Sequence, residues 1–296
     1  SSGALSIGAS VANNQITGID NNGILAYANN STIKAERQVE ILATNNVRAA
    51  ALAMGGAGSG AYGTKLAGAM AGAGAGTTNN IQLNSSAYLQ GVNTGGNPKT
   101  TATIRVRSQD NSQIVADAGG VSIALAKSPE AFAGTFTVGA SIATNTIHNG
   151  TYAYVTDGTI SISGDLTVSA ISNATVDAMG MSGAISGASG RTASLALAGA
   201  GSATYNVITS NAQAYITQSE LDAGGDVQTV ANDTSNILAD AGGVSVGIGY
   251  GNKNNVALTI GASISDNSVT STTSSYIDQS TLRVDQDITI KSNSAP

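Results

Sequence analysis

Apolar and polar residues alternate through long stretches of the chain. In GTISISGDLTVSA (158–170), Ile160, Ile162, Leu166 and Val168 all point to one face, because strand side chains alternate with period two. STIKA followed by VEILA (31–43) and STLRVDQDITIKS (280–292) repeat the pattern. Between the paired strands sits GD or QD, where Gly tolerates positive φ and Asp bonds its own nearby backbone. TNNVRAAA, SNATVDAM and TSNILADAGGVSV add a further strand followed by Gly-rich punctuation. The pattern predicts an all-β chain with about six short strands per unit.

The unit itself is marked by a recurring triplet. Asn14–Ile16 with Tyr27, Asn79–Ile81 with Tyr88, Asn145–Ile147 with Tyr154, Asn206–Ile208 with Tyr215, and Asn267–Val269 with Tyr276 form five copies. Subtracting the Tyr positions gives steps of 61, 66, 61 and 61 residues. A fixed period of this size denotes stacked copies of one supersecondary unit. The copies run approximately 1–65, 66–132, 133–192, 193–255 and 256–296, as one continuous array whose fifth copy is expected to be truncated. Opening strands of the SIGAS type place Gly8, Gly139 and Gly261 in alternate copies, so the units come in two flavours. Each repeat is expected to form two coils of about 30 residues or three of about 20. In the three-coil case the stack would be roughly 70 Å long at ~4.8 Å per rung.

Composition favours stacked coils over ordinary domains. Of 296 residues, 37 are Gly, three Pro and two Phe, none is Trp, and only 10% are charged. Small side chains can bury much surface only where strands lie close together and layers are thin. Val, Ile, Leu, Ala and Gly are expected inside, with Thr, Ser, Asn and Asp outside. A disordered linker would combine low hydrophobicity with high net charge, whereas here Val, Ile and Thr abound and the net charge is −6. Immunoglobulin-like domains run near 100 residues and usually bury a Trp, which neither the period nor the composition provides.

The string N-x-I…AY-[IV]…[ST]-x-[IL]-x-A…D-[VLI]-x-[IV]-x-A resembles the repeats of large secreted bacterial adhesins of the filamentous-haemagglutinin-like and leukotoxin type. QAYITQSELDAGGDVQTVA (213–231) is the most similar stretch. The resemblance implies a right-handed parallel β-helix (a β-solenoid), an extracellular or bacterial cell-surface location, and a role as a rigid stalk or filament body. The partners expected are other repeats of the same array, through self-association, and surface glycans.

Four sets of residues are candidates for function. The recurring Asn reads as a turn-former, since Asn tolerates the left-handed region and closes Asx-turns. A side-chain ladder is set against it because two or three coils per repeat would separate equivalent Asn residues by roughly 10–14 Å. The recurring Tyr is expected to plug a corner with its hydroxyl in water, and the alternative is an aromatic stripe for sugar rings. Lys65, Lys127, Arg191 and Lys253, spaced 62, 64 and 62 residues apart, are expected in loops before each opening strand as a basic row that could meet an anionic glycan. Insertions within 18–26 and 90–99 are expected on the outside of the array, where binding functions are often placed.

Other chemistries have little material. Cysteine is absent, which excludes disulfides and thiolate metal sites. His148 is the only histidine, so serine-triad and histidine–zinc chemistry lack their residues. No enzyme activity and no cofactor are expected, although Asp165, Asp226 and Asp287 share a turn position at which calcium is conceivable. A pI near 4.6 argues against nucleic acid, and no apolar run is long enough to insert in a membrane as a helix. The expected function is a structural adhesin segment. Ice-binding or carbohydrate-binding solenoids are the alternatives, and a polysaccharide-active enzyme comes behind both.

Overall fold

The computed structural model describes residues 1–18, 23–95 and 103–295. The core of the first expected insertion and the end of the second fall outside those residues. Each copy opens with a long strand and then folds back through shorter ones. Copy one comprises β1 (Ser2–Thr17), β2 (Ile24–Asn29), β3 (Gln38–Asn45) and β4 (Arg48–Tyr62). Copy two comprises β5 (Leu66–Gln82), β6 (Asn84–Gln90), β7 (Thr103–Asp110) and β8 (Gln113–Ser128). Copy three has β9 (Phe132–Thr156), β10 (Thr159–Ile162), β11 (Leu166–Ser172) and β12 (Thr175–Gly190). Copy four has β13 (Ala193–Thr217), β14 (Glu220–Ala223), β15 (Val227–Asp233) and β16 (Asn236–Tyr250). Copy five supplies β17 (Asn254–Asp278), β18 (Thr281–Val284) and β19 (Ile288–Ser294).

All pairings are parallel and join a strand to its counterpart one copy away. The long sheet runs β1-β5-β9-β13-β17, with β2 and β6 completing its first two rows; the short sheet is β10-β14-β18. The base sheet is β3-β7-β11-β15-β19, and the back sheet is β4-β8-β12-β16. The register is the repeat register: Asn145 pairs with Asn206, and Asn206 with Asn267.

This corrects the expected coil count. One repeat makes one rung, not two or three, and its strands reach 25 residues instead of being short. Five rungs at ~4.8 Å therefore rise only about 20 Å from first to last, while the long strands extend several times farther. Period-two patterning cannot reveal this. It reports which face a residue takes, whereas rung length is set by where the chain turns.

One turn illustrates the constraint. Asn30, Gly91, Asp157, Gln218 and Gln279 all adopt positive φ, between 45° and 60°, immediately after the long sheet ends. The hydroxyls of Ser31, Ser219 and Ser280 then donate to the carbonyls of Asn29, Thr217 and Asp278, closing the bend.

The interior divides into two regions. The second half of the long sheet, the short sheet and the base sheet enclose a core of large side chains, including Leu89, Ile104, Val155, Ile160, Leu166 and Ile216. Here the expected apolar interior is found. The first half of the long sheet and the back sheet instead form a thin slab filled by Ala, Gly, Ser and Thr, with Ala67, Ala69, Ala71, Ala124, Ala126, Ala133, Ala188 and Ala196 in one cluster. The sheets approach so closely that a Cβ on Gly8 would stand 2.0 Å from the Gly56 carbonyl oxygen, and one on Gly139 2.3 Å from that of Gly183. The glycines that distinguished the two flavours of repeat are thus points of closest contact between layers.

The slab also reverses the expected exterior. Its large apolar residues point outward: Leu5, Ile7 and Val11 on the long sheet, and Leu52, Met54, Leu125 and Ile248 on the back sheet, are all more than half exposed. Side chains are sorted there by size, not by polarity. Two sheets this close leave room inside only for small residues.

Candidate functional site

The recurring Asn residues form a ladder. Asn14 donates through Nδ2 to Oδ1 of Asn79 at 2.8 Å, Asn79 to Asn145 at 2.8 Å, Asn145 to Asn206 at 2.7 Å, and Asn206 to Asn267 at 2.8 Å. Asn79, Asn145 and Asn206 are buried within long strands, the latter two at their middle. The turn reading is therefore corrected. The separation that spoke against a ladder assumed several coils per repeat, and a one-rung repeat removes it.

A second polar column lies further along the interior. Asp110 is buried and accepts from Asn45 Nδ2 at 2.9 Å, from Ser112 Oγ at 2.6 Å and backbone N at 3.1 Å, and from Asn149 Nδ2 at 2.8 Å. Burial pushes its carboxyl above the usual range, and the bonds from Ser112, Asn149 and Asn45 oppose that only in part. Together the two columns flank a small apolar cluster that includes Ile81, Ile114, Ile147 and Ile208, and so pin the waist between slab and core.

The tyrosines also stack rung on rung. Tyr27, Tyr88, Tyr154, Tyr215 and Tyr276 lie with successive ring centroids 4.7–5.0 Å apart and planes within 6°. They sit within strands on the outer face of the long sheet, not at a corner. Both faces of Tyr88, Tyr154 and Tyr215 are covered by neighbouring tyrosines, so along its length the row offers edges to solvent and not the faces on which a sugar ring stacks. Burial, followed by Tyr154 and Tyr276 beside it, pushes the Tyr215 phenol up to about 12. Tyr154 is raised as well, by burial and by Tyr88.

The cations gather at one end of the slab without forming a level row. Lys65, Arg191 and Lys253 lie between back-sheet and long-sheet strands, but Lys127 lies within β8, in register with Tyr62 and Ser189. The backbones of Phe132 and Arg191 bond to Lys65 and Ser128, placing Lys65 and Arg191 at different levels. All four side chains are exposed.

Two of the three turn aspartates cap the following copy. Asp165 Oδ1 accepts from the Asp226 backbone N–H at 3.0 Å, and Asp226 Oδ1 from that of Asp287 at 3.1 Å. Among the described residues no group of three His, Cys, Asp or Glu side chains is placed to hold a metal ion. His148 is exposed on the long sheet beside a polar depression of about 170 Å³, shared with Asn149, Tyr152 and Asn211.

No family model, curated protein or solved structure matches the chain.

The feature that patterning missed is the outer face of the back sheet. It holds two open depressions of about 660 and 560 Å³, the first bordered by Met54, Met181 and Val121 and the second by Tyr62, Leu125 and Ile248. A signal existed in AALAMGGAG (50–58) of β4, where both strand parities are apolar or glycine. Such a run marks a strand with no polar face, but periodicity cannot say which side is covered.

Proposed function

We propose that the chain is a right-handed parallel β-solenoid segment of a bacterial cell-surface or secreted adhesin, serving as a structural body. The observation that supports this reading is the in-register pairing of every copy with the next through all the sheets, reinforced by the Asn ladder and the Tyr stack. Equivalent strands pair without offset, so copies can be added in the stacking direction using the same contacts. About 61 residues per ~4.8 Å of rise is little reach for so much chain. The design therefore suits a broad, stiff filament body better than a thin stalk, with function carried by its wide faces.

The test is a chain in which residues 193–253 are duplicated one, two and four times. Small-angle scattering or electron microscopy should show the stacking dimension growing by ~4.8 Å per added copy at constant cross-section. Growth of 10–14 Å per copy, or a compact particle that thickens in all directions, would overturn the reading.

A further inference from the structure

The outer face of the back sheet carries a relief that the folded chain does not itself require. In register, its columns read Met54–Gly119–Met181–Gly242, then Gly56–Val121–Gly183–Val244, Gly58–Ile123–Ile185–Val246, and Gly60–Leu125–Gly187–Ile248. Large side chains and glycines thus alternate along most columns. A Cβ at Gly56, Gly58, Gly60 or Gly242 would meet nothing within 4 Å, and at Gly119 only the Met181 carbonyl at 4.0 Å. At these five positions neither packing nor a left-handed backbone calls for glycine, so these hollows point to something outside the chain, whereas Gly187 makes room for Leu125, whose Cδ2 would stand 2.8 Å from an added Cβ.

We propose that this face is a docking surface for a second copy of the same chain, laid face to face with its strands antiparallel. A two-fold axis along the stacking direction, at the mid-line between positions 121 and 123, sets each rung against the same rung of the partner. Met54 then meets the Gly60 hollow, Leu125 the Gly119 hollow and Ile248 the Gly242 hollow, while Met181 meets Gly187, over which Leu125 of the same chain already leans. One axis serves all four rungs, because the sheet register is unbroken from β4 to β16. In an isologous contact of this kind each such pair occurs twice.

Charge agrees with the same orientation. Asp117, Asp177 and Asp240 face outward at one end of the sheet, and Lys127 is exposed at the other with Lys65, Arg191 and Lys253 beyond it. The antiparallel arrangement sets Asp117 opposite Lys127, whereas a parallel one would set like charges together. At ~3.3 Å per residue and ~4.8 Å per strand the face spans roughly 900 Å², comparable to the ~800 Å² per partner of a stable interface. Carbohydrate is a poorer occupant, since among the described residues the face has aromatic rings only at Tyr62 and Tyr250 on one border. This inference does not depend on the adhesin reading, because it concerns only the exposed face of the back sheet.

The test is sedimentation equilibrium on the full chain across a wide concentration range, with thermal melts to verify folding. A dimer is expected. The paired change Ile123→Asp and Ile185→Asp should weaken it at least ~100-fold, and Gly119→Leu at least ~10-fold, with melting unchanged because all three positions face outward. Asp117→Lys should weaken it severalfold, and adding Lys127→Asp should restore it. A spin label on Ser189→Cys should report a separation of ~35 Å across the dimer, and one on Ile185→Cys under ~20 Å. A monomer at all concentrations, a dimer indifferent to these changes, or a short distance at Ser189 would each overturn the proposal. Partition into phosphatidylcholine vesicles without dimer formation would overturn it as well, making the face a lipid contact.

Discussion

Asn145 donates its side-chain amide to Oδ1 of Asn206 at 2.7 Å, joining residues 61 positions apart in the chain. Asn79 donates to Asn145 in the same way, so Asn145 is both donor and acceptor within a buried ladder.

Replacing Asn145 by Ala leaves the Asn79 amide and the Asn206 oxygen buried without these partners. Each orphaned group costs about 1–3 kcal/mol, so Asn145→Ala should lose about 2–6 kcal/mol in a denaturant titration. A loss below ~0.5 kcal/mol would show that the ladder contributes nothing net.

Gly139→Ala should be costly for a different reason. The added methyl would stand 2.3 Å from the Gly183 oxygen and 3.1 Å from that of Gly120, and backbone on a paired sheet cannot step aside. About 2–3 kcal/mol of destabilisation is expected, while Gly72→Ala, with nothing within 4 Å of its Cβ, should be neutral or slightly stabilising. Equal melting temperatures for the two variants would refute the close approach of the layers.

The tyrosine column makes stability fall in strong base. The Tyr215 phenol is raised to about 12 from 10.0, chiefly by burial, so the fold favours its neutral form. Its contribution is complete below pH 10 and disappears as pH rises through about 12. Absorbance titration of phenolate should show a component near 12 that is missing in Tyr215→Phe, a variant that retains the stacked ring. A single transition near 10 in the intact chain would count against the stack.

Asp110 acts in the same sense at acid pH. Burial raises its pKa from 3.8, so its contribution is complete below 3.8 and is lost as pH rises through the elevated value. Asp110→Asn, which places at this position the residue that copy one has at Asn45, should remove that loss. The melting temperature of the variant relative to the parent should therefore increase from pH 3 to pH 7. A constant difference would argue that the carboxyl is not desolvated.

Much of this architecture was legible before any coordinates. Alternation in 158–170 and its counterparts marked strands, and Ile160, Ile162, Leu166 and Val168 do share a buried face. The marker Asn and Tyr residues pair in register with their counterparts one copy away, but not in the roles that patterning assigns them. Whether Asn145 closes a turn or reaches Asn206 depends on how many rungs separate equivalent residues, and local patterning carries no information about that distance.

The sequence by itself determined the β character, the period and the equivalence of positions between copies, because strand alternation and repetition are properties of the chain alone. Only the tertiary structure decided that one repeat makes one rung, which turns marker residues into a hydrogen-bonded ladder and a ring stack. It also decided that the slab is inverted. Alanine, glycine and serine fill a gap too narrow for anything larger, and Met54, Leu125 and Ile248 are left outside by size, against their solvation preference.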